Sequence, residues 1–378
     1  MILLLSIFIS ACNHTPEKKK KVKQEKEIPT YTIGVNMTLS GNGSYFSEEI
    51  KKGLDLSFDY TNERSDKVIL NIIYEDNKLN PKDAVSISRK FIDIDNVDII
   101  ISGFTPIIQA TIGMIDRAGI PMLVTLSSVE NIASDHDWAF RDFELEMETM
   151  PLLASYAYSG MDLKKGSWLV VNDDMGTDVV KFFSDKFIEQ GGEMTEGEVF
   201  DPTEMDLRNK INKIMEHGPE FIIVAGRGAT MINAIRQLRE RDMDIPVICN
   251  NTVDNDKVWQ ALGEKGNHIL FPRPYTDFMS DRYMKVNERF RLKYGSDLNW
   301  LNTYGISIAN YVTRGLIASG DSKEAMRDFL KTLNAQSIRG MLVMDANSDV
   351  KTPHTIFRRM NNVSTAVEIN EQLMETTN

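Results

Sequence analysis

From Tyr31 onward the chain alternates short apolar runs rich in Val, Ile and Phe with longer amphipathic runs, and this alternation constrains the fold more than any other feature. A β-branched run of about five residues followed by a helix-length amphipathic segment is the signature of βαβ units, whose parallel strands are covered by helices on both faces. The pattern predicts strands at 32–37, 68–74, 97–102 and 121–124, with helices at 46–62, 81–92 and 106–118. Asn80-Pro81 and Thr105-Pro106 mark two of the helix starts, each placing a capping side chain before a proline whose missing N–H costs nothing at the first helical position. The pattern then restarts, with strands at 167–171, 196–200, 221–225 and 246–249 and helices at 177–190, 206–217 and 229–241. Beyond Pro272-Arg273-Pro274 come three helical segments, 279–294, 301–319 and 323–333, and two strand-like runs, 340–344 and 354–358.

Two such series in 378 residues imply two lobes, because a single core stops growing at about 250–300 residues. No apolar run after residue 11 approaches the roughly 18 residues that a membrane helix requires. The formal net charge is −12, and the basic residues gather at Lys18, Lys19, Lys20, Lys21 and Lys23 rather than on a folded segment. Residues 13–30 hold six Lys and three Glu, so this stretch is +3 and the rest of the chain is −15. A body so acidic repels nucleic acid, whose affinity for proteins comes largely from phosphate neutralisation.

The N-terminus reads as an address. Residues 2–10 form an apolar stretch of signal-peptide size, and Ile9-Ser10-Ala11-Cys12 resembles the bacterial lipobox, in which the cysteine is lipidated. The expectation is a lipoprotein signal over 1–12 with lipidated Cys12, a charged flexible tether over 13–30, and a body outside the cytoplasm held to the membrane by its lipid. The competing reading, a buried first strand, sits poorly with the lysine-rich stretch that follows at once. No basic residue precedes the apolar stretch, a departure from an ordinary secretory signal. The only other cysteine is Cys249, so the body has no internal disulfide.

A colinear series of short markers carries a family likeness from about Tyr31 to Arg359. It opens with Ile33-Gly34-Val35-Asn36-Met37-Thr38-Leu39-Ser40-Gly41 and the helix start Glu48-Glu49-Ile50-Lys51-Lys52-Gly53. It continues through Tyr74-Glu75-Asp76-Asn77, Pro81, Ala84, Ala110, Gly119-Ile120-Pro121, Gly191-Gly192-Glu193, Asp206-Leu207, Gly218-Pro219, Ala225-Gly226 and Ile235-Arg236-Gln237, and closes on Gly340 and Asp349-Val350-Lys351. In this order the markers resemble the type I periplasmic binding proteins of the branched-chain amino acid (leucine/isoleucine/valine-binding) class, which serve ABC importers. The resemblance implies an α/β fold of two Rossmann-like lobes with parallel sheets joined by a three-stranded hinge. The first lobe would take 31–145 and 274–334, the second 146–273 and 335–362, leaving 363–378 as a polar tail. It further implies closure about the hinge around a small solute.

In such folds ligands sit beyond the carboxyl ends of the strands. The resemblance places ligand contacts in the first lobe at Tyr45 or Phe46, Thr105, Ser127 and Ser128, where hydroxyls and helix-start N–H groups suit a carboxylate. Capping of a helix at 129–131 is an alternative role for the two serines, and helix packing is one for Tyr45 and Phe46. In the second lobe three positions depart from the amino-acid pattern. Asp174-Met175-Gly176 and Gly226-Arg227-Gly228 stand where aromatics are expected, and Cys249-Asn250-Asn251-Thr252 offers amides where an acid would meet an ammonium. Met175, Arg227 and Asn251 are the corresponding candidates, with Arg227 able to meet an anion bidentately; a plain surface arginine and a turn asparagine are the alternatives. These departures point away from a plain branched-chain amino acid.

Nothing in the sequence calls for catalysis. The five histidines are scattered without metal-binding spacing, Gly41-Asn42-Gly43 lacks the third glycine of a dinucleotide loop, and no phosphate-cradling loop or nucleophile elbow occurs. No cofactor, no metal and no enzyme activity are expected. The leading expectation is a monomeric, lipid-anchored receptor that captures an amino-acid-like, amide or carboxylate solute and passes it to an ABC permease in the membrane. The alternative is an envelope lipoprotein that uses the same fold to bind a protein, as a regulator of cell-wall synthesis would.

Overall fold

The computed structural model describes residues 27–41 and 43–367, so Cys12 and the tether up to residue 26 lie outside the described residues. The first series folds as expected, except that Thr105 is the first residue of its helix and its side chain makes no capping hydrogen bond. Strands β1 (Thr30–Met37), β2 (Ile69–Asp76), β3 (Ile99–Gly103), β4 (Met122–Thr125) and β5 (Ala139–Arg141) form one parallel sheet in the order β2-β1-β3-β4-β5. Ile33 pairs with Ile72 on one side and Ile99 on the other, so β1 lies inside the sheet. Helices α1 (Ser44–Arg64), α2 (Pro81–Asp93) and α3 (Thr105–Arg117) make the crossovers. Asn80 caps α2 by accepting from the Lys82 N–H, as the Asn80-Pro81 pair predicts.

The second series builds a larger sheet. After α4 (Glu146–Ser155) come β6 (Lys165–Val171), α5 (Asp174–Glu189), β7 (Glu193–Met194), β8 (Glu198–Phe200), α6 (Arg208–Glu216), β9 (Phe221–Ala225), α7 (Gly228–Arg241), β10 (Val247–Cys249), α8 (Asp256–Leu262) and β11 (Ile269–Pro274). Every residue of β9 and β10 is buried, as befits strands covered on both faces. The core around them holds Phe183, Phe187, Phe200, Phe221, Ile222, Ile223 and Val224.

The chain then returns to the first sheet through α9 (Asp281–Tyr294), α10 (Trp300–Ser319) and α11 (Lys323–Lys331). α10 lies directly on α1. A Cβ at Gly53 would stand 2.2 Å from Asn302 O, and one at Gly305 would stand 2.0 Å from Ile50 O, so the two backbones touch and only glycine fits at either position. Asn302 Nδ2 seals the crossing by donating to Glu49 O at 2.8 Å and to its carboxylate at 2.9 Å.

A small antiparallel sheet of β12 (Asn334–Ser337), β13 (Gly340–Met344) and β14 (Val350–Lys351) follows, then β15 (His354–Met360) and β16 (Val363–Ala366). The stretch assigned by resemblance to the second lobe, 335–362, divides here. Ala335, Leu342, Met344 and Val350 pack into the core of the first sheet, whereas Ile356 and Phe357 belong to that of the second, because β15 pairs antiparallel with β11. The chain changes sides at Thr352-Pro353. Residues 363–366, expected to begin a polar tail, instead form β16 against β15. Asn361 and Asn362, with φ of 50° and 62°, make the turn, which needs two left-handed residues that asparagine tolerates.

Three connections thus join the two lobes, after Arg141, after Pro274 and between Lys351 and His354, and they are tied to one another. Arg141 holds Asp349 bidentately at 2.7 and 2.8 Å, and Arg339 grips Asp142 at 2.6 and 2.8 Å, all four side chains being almost fully buried. The Tyr275 N–H donates to Pro353 O at 2.7 Å, and the β11–β15 ladder runs on to Pro274 and His354.

Candidate functional site

The carboxyl ends of both sheets meet beside these connections. In the first lobe the loops after β3 and β4 each open on a non-glycine residue with positive φ, Phe104 at 70° and Leu126 at 53°, a conformation that surrounding contacts must hold in place. Immediately after them stand Thr105 and Ser127, whose hydroxyls lie 2.9 Å apart. Ser127 is buried and Ser128 half-buried, and neither caps a helix, because residues 130–135 form turns. Tyr45 and Phe46, in the first turn of α1, are half-buried with rings edge to face at 5.6 Å. Both pack against the first core.

Tyr45 also reaches across to the second lobe. It lies against the Asp256 backbone, the Lys257 ammonium stands 5.6 Å from its ring, and burial pushes its hydroxyl well above the usual phenol range. Trp300 spans the same gap by donating its indole N–H to Asp254 O at 2.9 Å. Asp254 is fixed in turn by Arg273, one of whose bonds measures 2.6 Å, and by the Trp259 indole at 3.1 Å. Phe143, on the first connection, packs between Trp300 and Tyr304 with centroids at 6.2 and 5.3 Å.

In the second lobe the three candidates part company. Met175, at the start of α5, is buried, and its sulfur accepts from Asn250 Nδ2 at 3.2 Å. Asn251, just past β10, is buried and donates its amide to Glu144. Arg227, at the end of β9, is exposed and bound to Asp173 at 2.5 Å, so its fork is already engaged by a carboxylate of the neighbouring loop.

Sequence reading missed the acids of the first connection. Glu144 and Glu146 are 3% and 4% exposed and point toward the amides beyond β10, with Asn250 donating to Glu146 at 3.0 Å. Burial, reinforced by mutual repulsion among the acids, pushes Glu144 up to about 8; burial also pushes Glu146 up to about 7. His354 Nε2 stands 3.6 Å from Glu144 Oε2, but burial and nearby Arg339 and Lys351 hold the imidazole down to about 4. The pair is therefore a neutral acid beside a neutral imidazole, not an ion pair, at neutral pH. The signal lay in the alternation Phe143-Glu144-Leu145-Glu146-Met147-Glu148, three acids spaced along one stretch at the expected boundary between the lobes.

Among the described residues no group of three or more His, Cys, Asp or Glu is placed to hold a metal ion, and no helix is long and apolar enough to cross a membrane. Cys249 is buried, which raises its thiol above the usual range.

Comparison with known proteins bears on this arrangement. The family model described as periplasmic binding protein matches residues 30–362. A Leu/Ile/Val-binding protein homolog of Brucella melitensis is 24% identical over 251 residues, 64% of this chain and 66% of its own length. A leucine-binding protein, LivK, of Thermotoga maritima superposes with a TM-score of 0.83 at 19% identity, over 90% of this chain and 99% of its own. The isoleucine complex of LivJ from Streptococcus pneumoniae gives 0.82 at 18% identity, over 89% and 99%. A solute-binding protein of Rhodopseudomonas palustris, solved with 3,4-dihydroxybenzoic acid, gives 0.78 at 19% identity, over 87% and 93%. At these identities the superpositions establish the fold and leave the ligand to the site itself.

Proposed function

As this chain belongs to the periplasmic binding proteins, we propose that it is an extracytoplasmic receptor that encloses a small polar solute between its lobes and delivers it to an ABC permease. The observation that carries this reading is the meeting of both sets of strand ends beside three braced connections, with Tyr45 and Trp300 of one lobe already engaging Asp256 and Asp254 of the other. Enclosure of this kind binds through hydrogen bonds sealed from water, and the fold needs no reacting group. Thr105, Ser127, Ser128, Tyr45 and Phe46 would line the first-lobe wall, and Met175 and Asn251 the second. Arg227, held by Asp173, would sit at the rim. The lobes would divide as the sequence suggests except that 335–351 travel with the first. Ile9-Ser10-Ala11-Cys12 supports a lipid anchor, which keeps the receptor at the membrane of its permease.

Ligand binding to the native state alone raises its melting temperature by mass action. A thermal-shift screen of residues 28–378 against amino acids, amides and aromatic acids tests the reading, and a flat response across the whole set would count against it. A protein-binding role has one observation in its favour: Tyr275, Phe278, Met279 and Met341 are exposed on elements near the second connection. Mutating Met279 and Phe278 to Ser without effect on pull-down partners would remove that support.

A further inference from the structure

We propose that the contact between Glu144 and His354 is a proton-sensitive lock on the hinge, which holds while the pair carries one proton and loosens when that proton leaves or a second arrives. It acts on the connections and needs no solute. Glu144 lies on the first connection, two residues past Asp142, and His354 opens β15 just past the third, opposite Pro274 of the second in the β11–β15 ladder. One contact therefore bears on all three connections.

The other fastenings of the hinge are charged pairs: Arg141 with Asp349, Arg339 with Asp142 and Lys351 with Glu148. An arginine side chain keeps its charge throughout the range in which proteins fold, so such pairs do not switch near neutrality. Glu144 is different. Among the described residues no Lys or Arg stands within ion-pair distance of it, and its Oε2 is buried without a hydrogen-bond partner, as is His354 Nε2 at 3.6 Å. Buried polar atoms are rarely left unpaired, and this gap is only a few tenths of an ångström beyond hydrogen-bond reach. A proton on Glu144 directed at the imidazole lone pair satisfies both atoms.

The surroundings favour a single proton. Facing Glu144 are Glu146 and Glu148 from its own stretch, Asp254 and the Asn251 amide from the loop past β10, and Tyr304 from α10. Once ionised, Glu144 is a bare charge among acids, and entry of water relieves the repulsion. Facing His354 are Arg339 and Lys351, so an imidazolium would be a third cation in the same buried corner. Either change is relieved by parting the connections until water reaches the pair. Burial holds Glu144 up to about 8 and His354 down to about 4, so the lock is closed between these values and slackens toward either. In water the two groups titrate at 4.5 and 6.5, so parting the pair releases a proton above pH 6.5 and takes one up below pH 4.5.

Amide hydrogen exchange of the whole chain tests the lock, followed over residues 142–148 and at Tyr275, whose N–H donates to Pro353 O across the second and third connections. After division by the chemical exchange rate at each pH, the opening constant is expected to rise about fivefold from pH 7 to 8 as Glu144 gives up its proton. Glu144→Gln, which keeps a neutral donor in place, should remove most of that rise. Tyr304→Phe, which deletes a neighbouring unpartnered hydroxyl, should keep it. A level wild-type response, a rise that Glu144→Gln retains, or one that Tyr304→Phe abolishes overturns the lock. The wild-type protein gives a second reading that needs no variant to fold: by NMR the His354 imidazole is expected to stay neutral at pH 5.5, and by infrared spectroscopy a protonated carboxyl band should persist at pH 7 and fade as the pH passes about 8. An imidazole that titrates near 6.5, or no such band at pH 7, also overturns it.

Discussion

Raising the pH of the unliganded protein from 6.5 to 8 is expected to lower its stability, and Glu144→Gln to remove most of that fall. Glu144 and Glu146 move from 4.5 in an open chain to about 8 and about 7 in the fold, so over this window the native state holds protons that the unfolded state has lost. A group whose folded pKa is raised contributes stability below its unfolded pKa and loses it as pH climbs through the folded value. At about 1.4 kcal/mol for each proton per pH unit, the two glutamates together lose about 2 kcal/mol between pH 6.5 and 8. His354 works the other way, since its folded pKa of about 4 lies below 6.5, but its effect is nearly complete by pH 6.5. The groups facing the pair are Glu148, Asp254, Tyr304 and His354 around Glu144, and Asp178 and Arg227 around Glu146. Urea denaturation followed by tryptophan fluorescence at half-unit pH steps reads the slope. A wild-type profile that is level or rising across this window, or one that Glu144→Gln leaves unchanged, refutes the placement of these acids in a site without a base.

Three further outcomes follow from the same geometry. Gly305→Ala forces a methyl against Ile50 O and is expected to destabilise by about 2 kcal/mol or more, seen as a lower urea midpoint, because the opposing atom is backbone and has no rotamer to yield. Arg339→Met strands Asp142 in the interior and should cost about 3–5 kcal/mol, whereas Arg339→Met with Asp142→Leu should recover much of it; a double variant no better than the single one would contradict the pairing. Cys12→Ala should move the protein from the membrane fraction to the soluble fraction and abolish palmitate labelling, and retention in the membrane would rule out the lipid anchor.

Much of this was legible in the sequence because a buried parallel strand and a covering helix leave periodic marks. The runs at 32–37 and 221–225 became β1 and β9 with boundaries shifted by two residues at most. α4 escaped because Pro151 interrupts it and an interior proline ordinarily reads as a break. β5 escaped at three residues, too short to alternate. The change of lobe at Thr352-Pro353 was not legible, since β13 and β15 look alike as strings and only their packing assigns them to different cores. Of the candidate site, the loops at strand ends were named by position alone, and within them Thr105 and Ser127 share a hydrogen bond. Arg227 suggested an open anion site because a sequence does not show that Asp173 folds against it. Glu144 and Glu146 were overlooked for the complementary reason: carboxylates are presumed solvated until the fold withdraws the water.

The burial of Cys249 gives the molecule a clock of its own. This residue at the end of β10 is the only cysteine among the described residues, and its side chain is fully shielded next to Asn250. A thiol reagent reacts with it only when the second lobe loosens around β10, so the labelling half-time counts openings of that lobe without any added dye or tag. Compounds that hold the amides of Asn250 and Asn251 in place should lengthen the half-time in proportion to their occupancy, which lets a crude mixture be scored for its true solute before that solute has been identified.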